Sequence, residues 1–236
     1  MSIWQTFMPL ACFTNLSCLI RMTLMKITML AYPGMTPLDL MGPLQTWTFW
    51  PDAEVQVVWK HTDPIMTDTG MAVVPTHSFA TSFDQPEIVF VPGGTKATFE
   101  LTQDEETLNF LRTKAKTATW VTSVCTGALV IGAAGLLKGY KATTHWAAKD
   151  LLSGYDAEVT DGRYVIDRDR ATGGGVTAGI DFGLAMIAEI SGEEIAKVAQ
   201  LAMEYSPKPP FNSGTPEEAS AETKKLVLEG FAASSA

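Results

Sequence analysis

The segment that most restricts the fold is residues 117–135, TATWVTSVCTGALVIGAAG. A β-rich apolar run ends at one cysteine, and Thr126 and Gly127 then open a stretch rich in Ala, Leu and Gly. That order predicts a strand, a sharp turn at Cys125 and a helix whose first amides point back at the sulfur, the arrangement of a nucleophile elbow. A thiol there gains from the positive end of the helix and is expected to be partly exposed at the carboxyl edge of a sheet. The dipole contributes only about 0.3–1 kcal/mol, less than one pKa unit, so a thiol of pKa ~8.5 needs a second polar partner to react at neutral pH. The structural alternative is that Cys125 is a small buried hydrophobe.

A chain of 236 residues, 46% hydrophobic and 18% charged, can bury a full core and suits one α/β domain better than two small ones. Seventeen basic against twenty-six acidic residues give a net charge of -9 without a Lys/Arg cluster able to track phosphates, which argues against nucleic acid as a partner. Two of the three cysteines fall in the first eighteen residues, so there is no disulfide framework or CxxC pattern, and a reducing cytoplasm is the expected setting. His61, His77 and His145 are scattered, so neither a metal site nor metal dependence is expected.

The first twenty-four residues are apolar, carry only Arg21 as a charge and show no clear periodicity. They lack the positive start of a signal peptide, and the faint lipoprotein-like box from Pro9 to Cys12 lacks its preceding basic residue. We expect residues 1–24 to be an extension outside a fold that begins near Met25 and fills residues 25–236 as a single domain. No segment has the ~18–20 uninterrupted apolar residues of a membrane span.

From Met25 onward, short β runs alternate with amphipathic stretches, the pattern of an open sheet with helices on both faces. KITMLAY reads as a first strand, followed by a helix PLDLMGPLQTWTFW interrupted at Gly42-Pro43. VQVVWKH and the region around MAVVPTHSF supply further strands, with a turn at Thr69-Gly70. EIVFVPGG is the clearest strand, and TQDEETLNFLRTKAKT is a helix with acids early and bases late. After the elbow, Gly139 is expected to stop the helix and KATTHW to form a short strand. A last hairpin, turning at Asp161-Gly162, leads to the helix GIDFGLAMIAEISG, and EYSPKPPFNSGTPEE reads as a surface strap beginning near residue 204.

Ligands of open α/β sheets bind beyond the carboxyl ends of the strands. Asp39, Gly93-Gly94, Cys125-Thr126 and Thr144-His145 all fall there, on four separate turns. Each has a plainer reading. Asp39 could be a helix-start acid, Gly93-Gly94 a turn rather than a pair of oxyanion donors, Thr126 a helix cap, and His145 a core histidine bound to a backbone carbonyl. Trp47, Trp50 and Trp146 are placed to line an apolar pocket.

The elbow SVCTGALVIGAAGLLKGYKATTHW, with VFVPGG and YPGMTPLDLMGP, resembles the DJ-1/PfpI superfamily over about residues 25–211. Asp39 in PLDLMGP paired with SVCTG, and TGGGVTAGIDFGL followed by EYSPKPPF, is similar to the isonitrile hydratase branch of that superfamily. The resemblance implies a flavodoxin-like three-layer sandwich of the class I glutamine amidotransferase-like kind, acting as a homodimer. It further implies Cys125 as nucleophile, Asp39 as acid/base and Thr126 as a pocket hydroxyl; a small-molecule substrate is expected, with no cofactor, nucleic acid or membrane. Protease-like relatives have glutamate at the Asp39 position and histidine directly after the cysteine, where this chain has Thr126, so peptide hydrolysis is not expected. The sensing half of AraC-type regulators is also similar, but here a short acidic tail stands where a DNA-binding domain would continue.

The implied reaction is hydration of an isocyanide to an N-substituted formamide. Asp39 protonates the isocyanide carbon while Cys125 adds to give a thioimidate, which water then resolves. Two rivals remain open: glyoxalase-like chemistry on small 2-oxoaldehydes with His145 as base, and a redox or ligand sensor in which Cys125 is oxidised without turnover.

Overall fold

The computed structural model describes residues 24–235, so the expectation placed on the leader lies outside the described residues. Along the chain come β1 (Met25–Leu30), α1 (Pro37–Trp47), β2 (Ala53–Trp59), β3 (Ile65–Met66), β4 (Ala72–Val73), β5 (His77–Ser78) and β6 (Ile88–Val91). These are followed by α2 (Lys96–Leu101), α3 (Glu105–Ala115), β7 (Trp120–Val124), α4 (Gly127–Ala133), β8 (Lys141–Ala142), α5 (Lys149–Leu152) and β9 (Glu158–Val159). The chain then forms β10 (Tyr164–Asp167), β11 (Arg170–Gly173), α6 (Ala178–Ser191), α7 (Glu193–Ala202) and α8 (Ala221–Ser235).

Seven strands make the main sheet in the order β10-β11-β7-β6-β1-β2-β5. All neighbours run parallel except the β10–β11 edge hairpin. The central strands are continuous apolar runs because helices cover both of their faces, and Ile88 to Val91 are almost wholly buried. Helices α1, α6 and α7 pack on one another, while α2, α3 and α5 gather around α4. Trp47 meets Phe90 edge-on, with ring centres 5.5 Å apart, and both rings touch Phe182 of α6. This is the flavodoxin-like architecture expected from the sequence. The chain leaves β1 toward β2 on one side and returns to β6 on the other, so the topological switch point lies between β1 and β6.

Several local expectations are corrected. Helix α1 runs unbroken through Gly42-Pro43. Those residues mark where α1 crosses α6: a side chain at Gly179 would come within 2.9 Å of Pro43, and one at Gly183 within 2.9 Å of Thr46. The elbow helix stops at Ala133, not at Gly139. Gly135, at φ +78°, closes it in a Schellman motif, with Leu136 N–H on Ile131 O at 3.0 Å and Gly135 N–H on Gly132 O at 2.8 Å. KATTHW contributes only Lys141 and Ala142 to a strand, and Trp146 begins a 3-10 turn.

The last hairpin turns at Arg168-Asp169, because the residues before Asp161-Gly162 pair with β8 instead. Arg168 sits at φ +57°, held by hydrogen bonds to Gly139 O and Asp167 and by its stacking on Tyr140. Helices α7 and α8 were not anticipated, and between them the chain, including EYSPKPPFNSGTPEE, has no helix or strand.

Candidate active site

Asp39 lies in the first turn of α1 beyond β1, Gly93-Gly94 follow β6, and Cys125 follows β7. The three neighbouring strand ends at the switch point therefore bring these residues together. Cys125 occupies a left-handed conformation, φ +53°, which costs a non-glycine residue about 1–2 kcal/mol. Its surroundings over-determine it. The Cys125 N–H donates to both Gly173 O (3.1 Å) and Gly174 O (2.8 Å), and its carbonyl accepts the Thr144 hydroxyl at 2.8 Å. The amides of Val176 and Thr126 are turned toward the sulfur and favour its anionic form. Val176, a β-branched residue at φ +28°, is thus held in a sparsely populated conformation where its N–H serves the thiol.

The partial exposure expected of the thiol is corrected: Cys125 is only 5% exposed. The glycine-lined end of β11, the first turn of α1 and the Gly93-Gly94 turn close around it. Two surface recesses, of about 300 Å³ between α6, α7 and Tyr205 and of about 70 Å³ between Trp146 and the C-terminal segment, include neither Cys125 nor Asp39 in their walls. Cys125 and Asp39 instead lie beneath the surface of the described residues.

Asp39 is fully buried. Its Oδ2 accepts the Gly93 N–H at 3.1 Å, while Oδ1 has no partner that meets strict hydrogen-bond geometry. The Cys125 thiol lies beside this carboxyl. Burial pushes the Asp39 pKa up to about 7, against the pull of the thiol and the Gly93 amide, with Asp68 adding a small upward push. Burial and the neighbouring carboxylate push the thiol far above its ordinary value, more than the two amides can offset. The resting pair thus holds a proton on sulfur beside a carboxylate able to take it, with a second proton on Asp39 below about pH 7.

The hydroxyl of Thr126 does not cap α4. It donates to Gly94 O at 2.7 Å, accepts Gly94 N–H at 3.0 Å and lies 3.0 Å from Thr98 Oγ1. What Thr126 offers the sulfur is its backbone amide. The amides of Gly93 and Gly94 are likewise engaged inside the protein, on Asp39 and Thr126.

His145 follows β8, its ring edge against Gly175 and between Trp146 and Phe231 of α8. Its Nδ1 accepts the Ala147 N–H at 3.2 Å, which leaves the proton on Nε2, and burial lowers its pKa. His145 packs against Gly175, and the neighbouring Thr144 bonds the Cys125 carbonyl. Trp47 and Trp50 are core residues, their ring N–H groups donated to Gly183 O and Ser191 Oγ. Thr144, named with His145 at the strand ends, does reach the elbow through its bond to the Cys125 carbonyl, whereas Val176, Thr98 and Tyr32 were not singled out as supports of the site. Among the described residues no three His, Cys, Asp or Glu side chains are grouped so as to hold a metal ion.

Fold and site together define a flavodoxin-like α/β protein with a buried cysteine–carboxyl pair at its switch point. Residues 25–189 match the DJ-1/PfpI family, and the chain belongs to that family. It is 46% identical to the isonitrile hydratase of Pseudomonas putida over 197 residues, covering 83% of this chain and 85% of that protein. It also superposes on the crystal structure of a THiJ/PfpI family protein from Pseudomonas syringae with a TM-score of 0.87 at 46% identity, covering 89% and 87% of the two chains. Drosophila melanogaster DJ-1beta, at 17% identity and a TM-score of 0.69 over 78% of this chain and 100% of that one, shares the fold. The HTH-type transcriptional regulator CdhR of Pseudomonas aeruginosa is 30% identical over 135 residues, 56% of this chain but only 39% of the regulator.

Proposed function

We propose that this protein is a hydro-lyase that converts an isocyanide to an N-substituted formamide, with Cys125 as nucleophile and Asp39 as acid and base. The observation that carries the reading is the buried Asp39 carboxyl, poised near neutrality beside the thiol. The 46% identity to an isonitrile hydratase over most of both chains supports the substrate class. An isocyanide also suits a closed site, because its reactive carbon ends a slim linear group.

In the first step Asp39 takes the thiol proton and delivers it to the isocyanide carbon as the sulfur adds, so R–N≡C and Cys–SH become the thioimidate R–N=CH–S–Cys. Asp39, again a carboxylate, then draws a proton from water as its oxygen attacks that carbon, and passes this proton to the nitrogen as the C=N bond opens. The resulting N,O,S-substituted centre collapses to R–NH–CHO with the sulfur leaving, and the other water proton returns to the pair. The sum is R–N≡C plus water to R–NH–CHO: the thiol proton ends on carbon, one water proton on nitrogen, and the other water proton restores the pair. The Val176 and Thr126 amides support the sulfur whenever it carries charge. Thr126 and Gly94, through their mutual hydrogen bonds, hold the turn that presents the Gly93 amide to Asp39. His145 forms part of the wall through Gly175. We take the working form to be a cytoplasmic homodimer acting on a small molecule. No helix among the described residues is long and apolar enough to cross a membrane.

The test is turnover of an aryl or alkyl isocyanide by the wild type, Cys125→Ala and Asp39→Asn. Loss of turnover in the first variant and a fall of about 10²-fold or more in the second are expected. Mass spectrometry of quenched wild type should show Cys125 heavier by one isocyanide. Unimpaired turnover by Cys125→Ala, or methylglyoxal consumed while isocyanides are untouched, would overturn the reading.

A further inference from the structure

Behind the elbow the half-buried Thr126 hydroxyl continues as a row into two buried hydroxyls, of Thr98 and Tyr32, that the proposed chemistry does not use. Thr126 Oγ1 has one proton and two lone pairs. The proton is committed to Gly94 O at 2.7 Å, and one lone pair accepts the Gly94 N–H at 3.0 Å. Toward Thr98 Oγ1, 3.0 Å away, Thr126 can therefore only accept, so Thr98 donates. With its own proton spent, Thr98 can only accept from the Tyr32 hydroxyl at 2.9 Å. Tyr32 donates there, sharing its one proton with the more distant Pro92 O at 3.2 Å. Both side chains are almost wholly excluded from solvent, and burial keeps the Tyr32 phenol protonated, so the direction of the row is fixed. It runs Tyr32 to Thr98 to Thr126 to Gly94 O.

We propose that Tyr32 and Thr98 are positioning residues for the Cys125–Asp39 pair, acting through this ordered row on the Gly93-Gly94 turn. Gly94 is pinned by both its N–H and its C=O to a hydroxyl that the row orients, and the preceding Gly93 amide is the fixed donor to Asp39. Tyr32 comes from the end of β1 and Thr98 from α2, so the row ties the β1–α1 connection and the segment after β6 to the elbow that carries the nucleophile. Neither residue touches the reacting atoms. Removing the Thr98 hydroxyl takes away the donor to Thr126, and removing the Tyr32 hydroxyl takes away the donor that orients Thr98, so either change slackens the turn and weakens the hold of the Gly93 amide on the Asp39 carboxylate. The groups that face Asp39 besides Gly93 are Cys125 from the elbow, Tyr32 from the end of β1 and Asp68 from the turn between β3 and β4. Burial keeps Cys125 and Tyr32 protonated through neutrality, so Asp39 sets the observed midpoint.

The inference rests on the Cys125–Asp39 reading, and its primary test does not need the substrate. The rate of Cys125 alkylation by iodoacetamide is followed against pH in the wild type, Tyr32→Phe, Thr98→Val and Thr98→Ser, with Cys125→Ala as the blank. Tyr32→Phe and Thr98→Val keep the packed volume and should each move the midpoint upward by about 0.5–1 pH unit, whereas Thr98→Ser, which retains the hydroxyl, should leave it in place. If isocyanide turnover is present, kcat should fall in the first two variants with little change in KM. Midpoints unchanged in Tyr32→Phe and Thr98→Val, or Thr98→Ser displaced as far as Thr98→Val, would overturn the proposal. If Thr98→Val does not fold, Tyr32→Phe decides alone. Absence of isocyanide turnover in the wild type would count against the hydratase reading and leave the alkylation result to be read on its own.

Discussion

Gly93 gives its amide to Asp39 Oδ2 at 3.1 Å and has no room for a side chain of its own. A Cβ at position 93 would stand 2.7 Å from that oxygen and 2.7 Å from both the amide and the hydroxyl of Thr126. The glycine is the spacer that lets the carboxyl of α1 approach the elbow. Gly93→Ala is therefore expected to push Asp39 away from Cys125 while the sheet stays intact. Turnover should drop by about 10²-fold, the scale on which small misplacements act, with far-UV circular dichroism unchanged. A Gly93→Ala protein with wild-type turnover would mean that the approach of these two elements does not matter to the reaction.

The pH dependence follows from which proton must be missing. The reactive pair holds one proton, on sulfur or on carboxyl, and protonation of Asp39 below about pH 7 removes the base. The thiol is pushed well above its ordinary value, so the pair does not lose its last proton until strongly alkaline pH. kcat/KM should accordingly rise through a midpoint near neutrality and stay level on the alkaline side, both limbs belonging to the pair rather than to one residue. An acid limb centred near pH 4, the value of an exposed aspartate, would show that burial does not govern this carboxyl.

The strands and the elbow were legible because they obey short-range rules. β6 is four consecutive buried apolar residues, and Val124-Cys125-Thr126-Gly127 carries its own turn chemistry. Placement of Asp39 was readable only through topology, since position 39 follows β1 and β1 neighbours β6 at the switch point. Gly42-Pro43 misled because local propensity sees a helix breaker, whereas the partner that needs a small surface, α6, lies far along the chain. Asp161-Gly162 misled for a similar reason: a turn signal does not say which strand its flanks will join. The contribution of Val176 lies in a backbone amide, for which no side-chain pattern exists, and the depth of Cys125 depends on loops closing from three elements.

Asp39 also shapes stability, with a sign opposite to that of most carboxylates. Its folded pKa, about 7, lies above the ~3.9 of an unfolded aspartate. Between those values the folded state binds the extra proton, so this residue makes stability fall as pH rises from about 4 to about 7 and stay low above that. Asp39→Asn removes the effect. The variant should gain on the wild type as pH rises through this window, by roughly 2–4 kcal/mol between pH 4 and pH 8 for a group this deeply buried. Urea denaturation of both proteins at the two pH values measures the difference. A constant offset, or a gain on the acid side, would contradict a carboxyl held in an apolar enclosure.

Because Cys125 is 5% exposed, reagents should be sorted by width rather than by intrinsic thiol reactivity. Methyl methanethiosulfonate, which is small, can reach the sulfur with little displacement of the surrounding turns. The aromatic disulfide DTNB requires those turns to open, and the fraction of molecules open at any moment scales its rate. Each rate is divided by that of the same reagent with free cysteine, and Cys125→Ala supplies the background from Cys12 and Cys18. The normalised rate for DTNB should then be lower than that for the small reagent by about one to two powers of ten, since each ~1.4 kcal/mol of opening cost is tenfold. Unfolding in urea should erase the gap. Equal normalised rates in the folded protein would mean that the sulfur stands open to solvent, and the preference for a slim linear substrate would lose its structural basis.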